Sequence, residues 1–371
     1  MPSVAPEKFT TNALTKRHRQ RANWSVETVS ILIPCYNDEE HVGTAIESAL
    51  NQTWPNCEII VVDDGSTDRS LTVARKYESD GVRVLTQENK GAPAARNRAF
   101  GAASGKYIQY LDADDLLHPR KVEAQVSALQ ESPPDTVAVC STVYFQDGNA
   151  LKEGRRTEGL EEIPWLMSDD PVQWLVNLFS PGGWGMVQTG AWLAPKEVAE
   201  EGGPWDEHVT WDQDGEYFTR VLLSSSGVQY VSEGCVYYRK YKNKTRPAQT
   251  ESREELTGWL RAIDSKRDHL LPLTTAEQHE KATLGIARQY WSLALSAYPE
   301  HPDLARSAEA RAAELGHPEF LRSVSQNGWK GWVAEAIAST AGWRLARRVQ
   351  RAYHRSRRTL HALLSEKGVQ H

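Results

Sequence analysis

Four residues, Asp112-Ala113-Asp114-Asp115, place three carboxylates at the end of the apolar run 107–111. Acids at that spacing repel one another unless a hard cation, a basic group or water offsets their charge. Mg²⁺ or Mn²⁺ is typically held by one or two carboxylates together with phosphate oxygens of a substrate. The same pattern suits a solvated turn closing a strand, so its meaning depends on its neighbours. A second acidic cluster, Asp63-Asp64-Gly65-Ser66-Thr67-Asp68, marks a strand-to-helix turn. Glycine supplies the tight turn and Ser or Thr can cap the next helix. One of the two aspartates can instead accept the N–H of a pyrimidine base in a desolvated slot. Tyr36, within Pro34-Cys35-Tyr36-Asn37, can stack on that base or merely cover the sheet edge. The stretch 89–97, NKGAPAARN, opens a helix with small residues. A helix N-terminus beside Arg96 favours phosphate or ribose oxygens, and the alternative is a solvated helix arginine.

The elements that must carry these clusters are legible as alternating patterns. VSILIP precedes HVGTAIESALNQ, EIIVVDD precedes SLTVARKY, VRVLTQ precedes APAARNRAFGAA, and YIQYLD follows. This predicts βαβαβαβ with strands apolar enough for a parallel sheet covered on both faces. Such sheets bind ligands beyond the carboxyl ends of their strands, and the three polar clusters fall at those ends. A helix over 118–130 and a strand near 137–145 follow, then a polar excursion at 147–162 and a Trp- and Gly-rich stretch at 164–211. A helix over 216–223 and a strand over 228–238 complete the first domain, with a boundary near 245. Beyond it the pattern is helical, including 282–296 and 304–315, a pair resembling one tetratricopeptide unit. The stretch 332–364 reads as an amphipathic basic helix. The predicted organisation is an arm at 1–27, an α/β domain at 28–245 and a helical region at 246–371.

At 371 residues the chain exceeds one small domain, and 25% charged against 40% hydrophobic residues is ordinary for a globular protein. Thirteen Trp is high. Four dispersed Cys with no Cys-x-x-Cys pair indicate neither a zinc site nor a disulfide scaffold, and fit a reducing cytoplasm. No membrane span is expected. Net charge is −6, yet residues 342–371 hold eight Lys/Arg against one acid, leaving the rest at about −13. That tail could hold anionic lipid at the inner membrane face, bind a partner, or be solvated. Nucleic acid is disfavoured by the acidic body. Neither Gly-x-Gly-x-x-Gly nor a P-loop is present.

In order and spacing, PCYNDEE, VVDDGSTD, NKGAPAARN, LDADD, GGPWDEHVTWDQDGEYFTR and YYRKY resemble glycosyltransferase family 2 over about residues 28–241. The resemblance implies a GT-A fold and an inverting transferase moving sugar from a nucleotide diphosphate sugar, UDP-linked, to a glycan or lipid-linked acceptor. It implies nucleotide contacts from Pro34, Tyr36, Asn37, Glu39, Asp63, Asp64, Gly91, Arg96 and Asp112. Tyr36 and Asp64 fall to the base, Asp112 to ribose or metal, and Asp114 to a divalent metal, Mn²⁺ or Mg²⁺. The general base falls six residues before Arg220, at Asp214, with Gln213 where the family usually has Glu and Asp212 as runner-up. A base is needed because a sugar hydroxyl attacks well only as it gives up its proton. Trp184 and Trp211 are the candidates for packing on acceptor sugar faces, and Arg239 and Lys240 for the diphosphate. Two alternatives stand beside this reading. A sugar nucleotidyltransferase would show a basic Gly-rich loop after the first strand, where this chain is acidic. A non-catalytic nucleotide-sugar or glycan-binding module would have no need of Asp214.

Overall fold

The computed structural model describes residues 27–146, 155–156, 167–180, 187–241, 252–317, 343–345 and 348. The expected βαβαβαβ unit forms: β1 (Val29–Cys35), α1 (Val42–Leu50), β2 (Cys57–Asp63), α2 (Ser70–Arg75), β3 (Arg83–Thr86), α3 (Ala92–Ala102) and β4 (Tyr107–Tyr110). Every residue of β1 is buried, as a central strand covered on both faces requires. β1 pairs in parallel with β2 on one side and β4 on the other, with Cys35 opposite Asp63 and Leu32 opposite Tyr110. The carboxyl ends of the three strands therefore lie on one edge, as the sequence predicts.

The rest of the sheet is mixed. β5 (Leu116–Leu117), α4 (Lys121–Gln130), β6 (Val137–Phe145) and β7 (Arg155–Arg156) follow, then α5 (Pro171–Phe179), β8 (Trp192–Pro195), α6 (Lys196–Glu201), α7 (Gln213–Leu223) and β9 (Val228–Arg239). Strand order is β3-β2-β1-β4-β8-β6-β9-β5, with β7 on β6. β8 runs antiparallel to both β4 and β6, while β9 runs parallel to β6. The helix expected over 118–130 starts only at Lys121, because the chain before it is tied to β9: Leu116 and Leu117 pair with it and the His118 amide donates to the Cys235 carbonyl at 3.0 Å. The helix expected from 216 starts at Gln213, with Asp214 and Glu216 in its first turn, where acids complement the helix dipole.

Between β4, α4 and β8 lies a buried polar layer. Lys121 is wholly buried, and its ammonium donates to Gln109 Oε1, to Gln125 Oε1 at 2.5 Å and to the Trp192 carbonyl at 3.5 Å. Gln125 and Gln109 in turn donate to the carbonyls of Ala191 and Gly190, each at 3.0 Å. All of Lys121's hydrogen-bond partners are neutral. Burial pulls its pKa down from the ordinary 10.5 to about 8.

Contacts divide the chain into two compact units, one of residues 1–171, 187–207 and 221–245, the other of 172–186, 208–220 and 246–371. The second contains α8 (Arg253–Leu270), α9 (Ala276–Ala297) and α10 (Pro302–Glu314). α8 and α9 each open on a capping box, Ser252 with Glu255 and Thr275 with Gln278, which satisfies two otherwise orphaned amides per helix. α9 and α10 form the expected helix-turn-helix. The basic helix expected over 332–364 falls outside the described residues except 343–345 and 348. Trp343 there packs edge-on to Trp291 and Tyr298, at 5.9 and 5.4 Å. The excursion at 147–162 is likewise outside them apart from β7. Among the described residues no helix is long and apolar enough to cross a membrane.

Candidate active site

The β1 and β2 ends are joined by the amide of Asp64, which donates to the Cys35 carbonyl at 2.8 Å. The Asp64 side chain is only 2% exposed. Its Oδ1 accepts from the Gln87 side chain at 2.7 Å and the Lys90 amide at 2.9 Å, and its Oδ2 from the Gly91 amide at 2.8 Å. Asp64 thus fixes the turn that starts α3. Gly91 turns at φ 88°, and Gly65, at φ 74°, lies where a Cβ would come within 2.8 Å of the Asn89 amide nitrogen. Neighbouring Asp63 is also buried. Its Oδ2 accepts from the Ser66 amide at 3.2 Å, while its Oδ1 has no hydrogen-bond partner.

Just past β1, Tyr36 is 49% exposed, with its ring available at the rim. Asn37 and Glu39 bind the adjoining turn of their own chain. Asn37, at φ 49°, accepts from the Thr67 amide at 2.7 Å and donates its amide to Ser66 Oγ at 3.0 Å. Glu39 accepts from the Arg69 amide at 2.8 Å and its guanidinium at 3.1 Å, and that guanidinium holds the carboxyl below its usual range. Pro34 is buried within β1 opposite Val62. Local hydrogen bonding thus engages the side-chain oxygens of Asn37 and Glu39, while Tyr36 is exposed.

The acid triplet follows β4, and its three members differ. Asp112 accepts from Arg96 at 2.8 Å; Arg96 is buried, with its guanidinium 4.5 Å from the Trp205 ring centroid. Arg96 therefore meets a carboxylate of the site itself. Trp205 meets Tyr110 edge-on at 5.2 Å, and Asn97 holds its main chain at both N (2.8 Å) and O (2.9 Å). Asp114 Oδ2 accepts from the Tyr241 hydroxyl at 3.0 Å, and its carbonyl from Arg239 Nε at 2.9 Å. Asp115, 1% exposed, accepts from the Arg239 amide at 2.9 Å. Burial pushes its carboxyl well above the usual range, and the charges of Asp112 and Asp114 push the same way. Burial and Asp114 likewise push the Tyr241 phenol up. The Arg239 guanidinium lies 4.5 Å from the Phe145 ring centroid and Lys240 Nζ 3.8 Å from that of Tyr144. Tyr241, Trp205 and Asn97, which hold the acid triplet and its neighbours, were not singled out from sequence, although all three lie in the quoted motifs YYRKY, GGPWDEH and NKGAPAARN.

Asp214 is in the first turn of α7, its Oδ1 accepting from the Gly215 amide at 3.0 Å. The acids on either side are committed elsewhere. Asp212 is ion-paired with Lys266. Glu216, 2% exposed, takes a two-pronged contact from Arg220 at 2.7 and 2.8 Å and a hydrogen bond from Ser265 at 2.7 Å. Trp211 packs on Trp259 with centroids 5.7 Å apart, and Trp184 is outside the described residues.

Among the described residues no three His, Cys, Asp or Glu side chains converge as a metal-binding group. Asp112 and Asp114 supply oxygen donors only, a set suited to Mg²⁺ or Mn²⁺ when substrate phosphates and water complete the coordination. A resident all-protein metal cage is not what this donor set builds.

Residues 30–191 match the model described as Glycosyl transferase family 2. An uncharacterized glycosyltransferase, YibD, of Escherichia coli strain K12 is 41% identical over 163 residues, 43% of this chain and 46% of the relative. The chain spans about half the length of the curated relatives it matches. The crystal structure of S. aureus TarS 1–349 matches with a TM-score of 0.60 at 16% identity, covering 89% of this chain and 92% of that one. In complex with UDP-GlcNAc the same protein matches at 0.52 and 15%, over 77% and 92% of the two chains. A mannosyltransferase, PcManGT, from Pyrobaculum calidifontis, in complex with GDP-Man and Mn²⁺, matches at 0.51 and 15%, over 88% and 87%. Such identities speak to the fold, which is the GT-A type. Over residues 30–191 the chain is similar to glycosyl transferase family 2.

Proposed function

We propose that the chain is an inverting, metal-assisted glycosyltransferase that moves a sugar from a UDP-linked donor to a hydroxyl of a glycan or lipid-linked acceptor. The observation that carries the donor half is the Asp64 carboxylate. A carboxylate has about four acceptor positions, and three are filled by Gln87, Lys90 and Gly91. One remaining position suits the single ring N–H of uracil better than the paired N–H groups of guanine. Tyr36 beside it offers a face for the same ring. TarS, which matches this fold, is known in complex with UDP-GlcNAc, which supports a donor of this class.

Asp112 and Asp114 are the residues that would hold Mn²⁺ or Mg²⁺, with the match to a Mn²⁺-bound mannosyltransferase as support. When bound, such a cation offsets the charge developing on the departing diphosphate. Asp214 takes the proton of the acceptor hydroxyl as its oxygen bonds to the anomeric carbon and the bond to the diphosphate breaks. Its place six residues before Arg220, in the first turn of α7, supports Asp214 in this role.

Thermal melting with UDP, GDP and dTDP, each with and without Mn²⁺, tests the donor half. UDP with Mn²⁺ is expected to raise the melting temperature most, and the absence of any nucleotide-dependent rise would reject the reading. Asp114→Asn should remove the Mn²⁺ dependence of that rise. Asp214→Asn should keep the UDP shift and abolish sugar transfer.

A further inference from the structure

We propose that Lys266 is a positioning residue that acts through Asp212 to fix the α7 first turn bearing Asp214; this rests on Asp214 being the general base. Lys266 is a lysine of α8 only 2% exposed. Its ammonium donates to Asp212 Oδ2 and to Gln289 Oε1, and it lies 5.4 Å from the Phe179 ring centroid. Burying an ammonium is costly unless an acid and further acceptors compensate it, so this pair has a fixed geometry rather than the loose one of a surface ion pair.

What the pair fixes is an unusual backbone. Asp212 adopts φ 59°, a left-handed conformation uncommon outside glycine, which Asp reaches more readily than most residues. From there its carbonyl accepts the Glu216 amide at 3.0 Å and starts the helix. Its carboxylate folds back over Gly215, where any Cβ would collide with it. One residue along α8, Ser265 donates to Glu216 at 2.7 Å. Residues 265 and 266 thus grip positions 216 and 212, and Asp214 lies midway between the two grips. A base works only if its oxygen is held where the acceptor proton will be, and small displacements there lower the rate steeply. Asp212, considered from sequence as a rival base, becomes the handle by which the base is aimed.

Hydrogen–deuterium exchange on the full chain, with no ligand added, provides the first test. In Lys266→Met, exchange at amides 213–217 should speed by about tenfold while the sheet and α9–α10 stay as in the wild type. Lys266→Arg, which keeps the cation, should stay within about threefold of wild type. The double variant Lys266→Met with Asp212→Asn, which leaves no buried charge unpaired, should exchange more slowly than Lys266→Met alone. Unchanged exchange at 213–217, or a loss spread evenly along α8–α10, would overturn the proposal. The second test is turnover of the nucleotide sugar found active in a donor screen. Lys266→Met should lower kcat by about tenfold or more with donor KM unchanged, and a raised KM at constant kcat would count against positioning. If Asp214→Asn turns over like wild type, the assignment of the base fails, whereas the exchange data still judge the Lys266–Asp212 tie by itself.

Discussion

Lys121 permits a quantitative test of the sheet's buried polar layer. Its ordinary pKa of 10.5 is pulled down to about 8 by complete burial among neutral acceptors. The charged form is therefore penalised in the folded state by about 3 kcal/mol, at 1.36 kcal/mol per pKa unit. The folded pKa lies below the unfolded one, so the penalty is fully present below pH 8. Between about 8 and 10.5 the unfolded chain binds the extra proton, and stability from this group rises with pH. Cys35 and Cys57 act in the opposite direction. Burial pushes both thiols up to about 12, so above pH 9 the unfolded chain ionises first and their contribution falls. The wild-type profile alone would mix these effects. Urea unfolding of wild type and Lys121→Met at a series of pH values from 7 to 11 separates them, because everything except Lys121 is common to both. The variant leaves Gln109 and Gln125 oxygens without their donor and starts less stable, which shifts its profile without tilting it. The wild-type minus variant difference should climb by about 3 kcal/mol across the window. Parallel profiles would refute the account of a lysine buried without a counter-charge.

Asp64→Asn replaces an acceptor oxygen with a donor facing main-chain N–H groups, and should cost about 1.5–3 kcal/mol in thermal or urea unfolding as well as removing stabilisation by UDP. An unaltered stability would mean that the 87–91 turn does not depend on that carboxylate. Arg220→Met strands the buried Glu216 carboxylate and should lower stability by about 3–5 kcal/mol, the usual loss when one member of a buried pair is removed. A loss below about 1 kcal/mol would instead put the pair in the surface class.

The first four strands and their helices were legible because each is a continuous apolar run or a helical period that needs no distant partner to be recognised. Their polar ends could be placed on one edge from the parallel-sheet rule alone. β5 and β8 were not legible. Two and four residues carry no periodicity, and both exist only through pairing with strands remote in sequence. Residue types pointed to Tyr36, Asp64, Asp112, Asp114 and Asp214 as candidates, while their partners stayed hidden. Nothing in the sequence links Asp212 to Lys266, 54 positions away, or shows that Lys121 turns inward. A lysine near a helix start usually reaches water, and only the placement of Gln109 and Gln125 draws this one in.

β8 has a consequence for how the molecule is assembled. It is the seam that joins β3-β2-β1-β4 to β6-β9-β5, and it runs from Trp192 to Pro195. The family-model match stops at residue 191, directly before it. A chain emerging from the ribosome can complete the first four strands early, but β4 keeps an open hydrogen-bonding edge until residues 192–195 arrive, and β6 keeps one until β9 at 228–239 follows. Open edges recruit other strands, so this interval is where a nascent or truncated chain is most prone to self-association. A fragment cut to residues 30–191 would keep Tyr36, Asp64 and the acid triplet but lose Asp214, Tyr241 and both strands, β8 and β9, that complete the sheet.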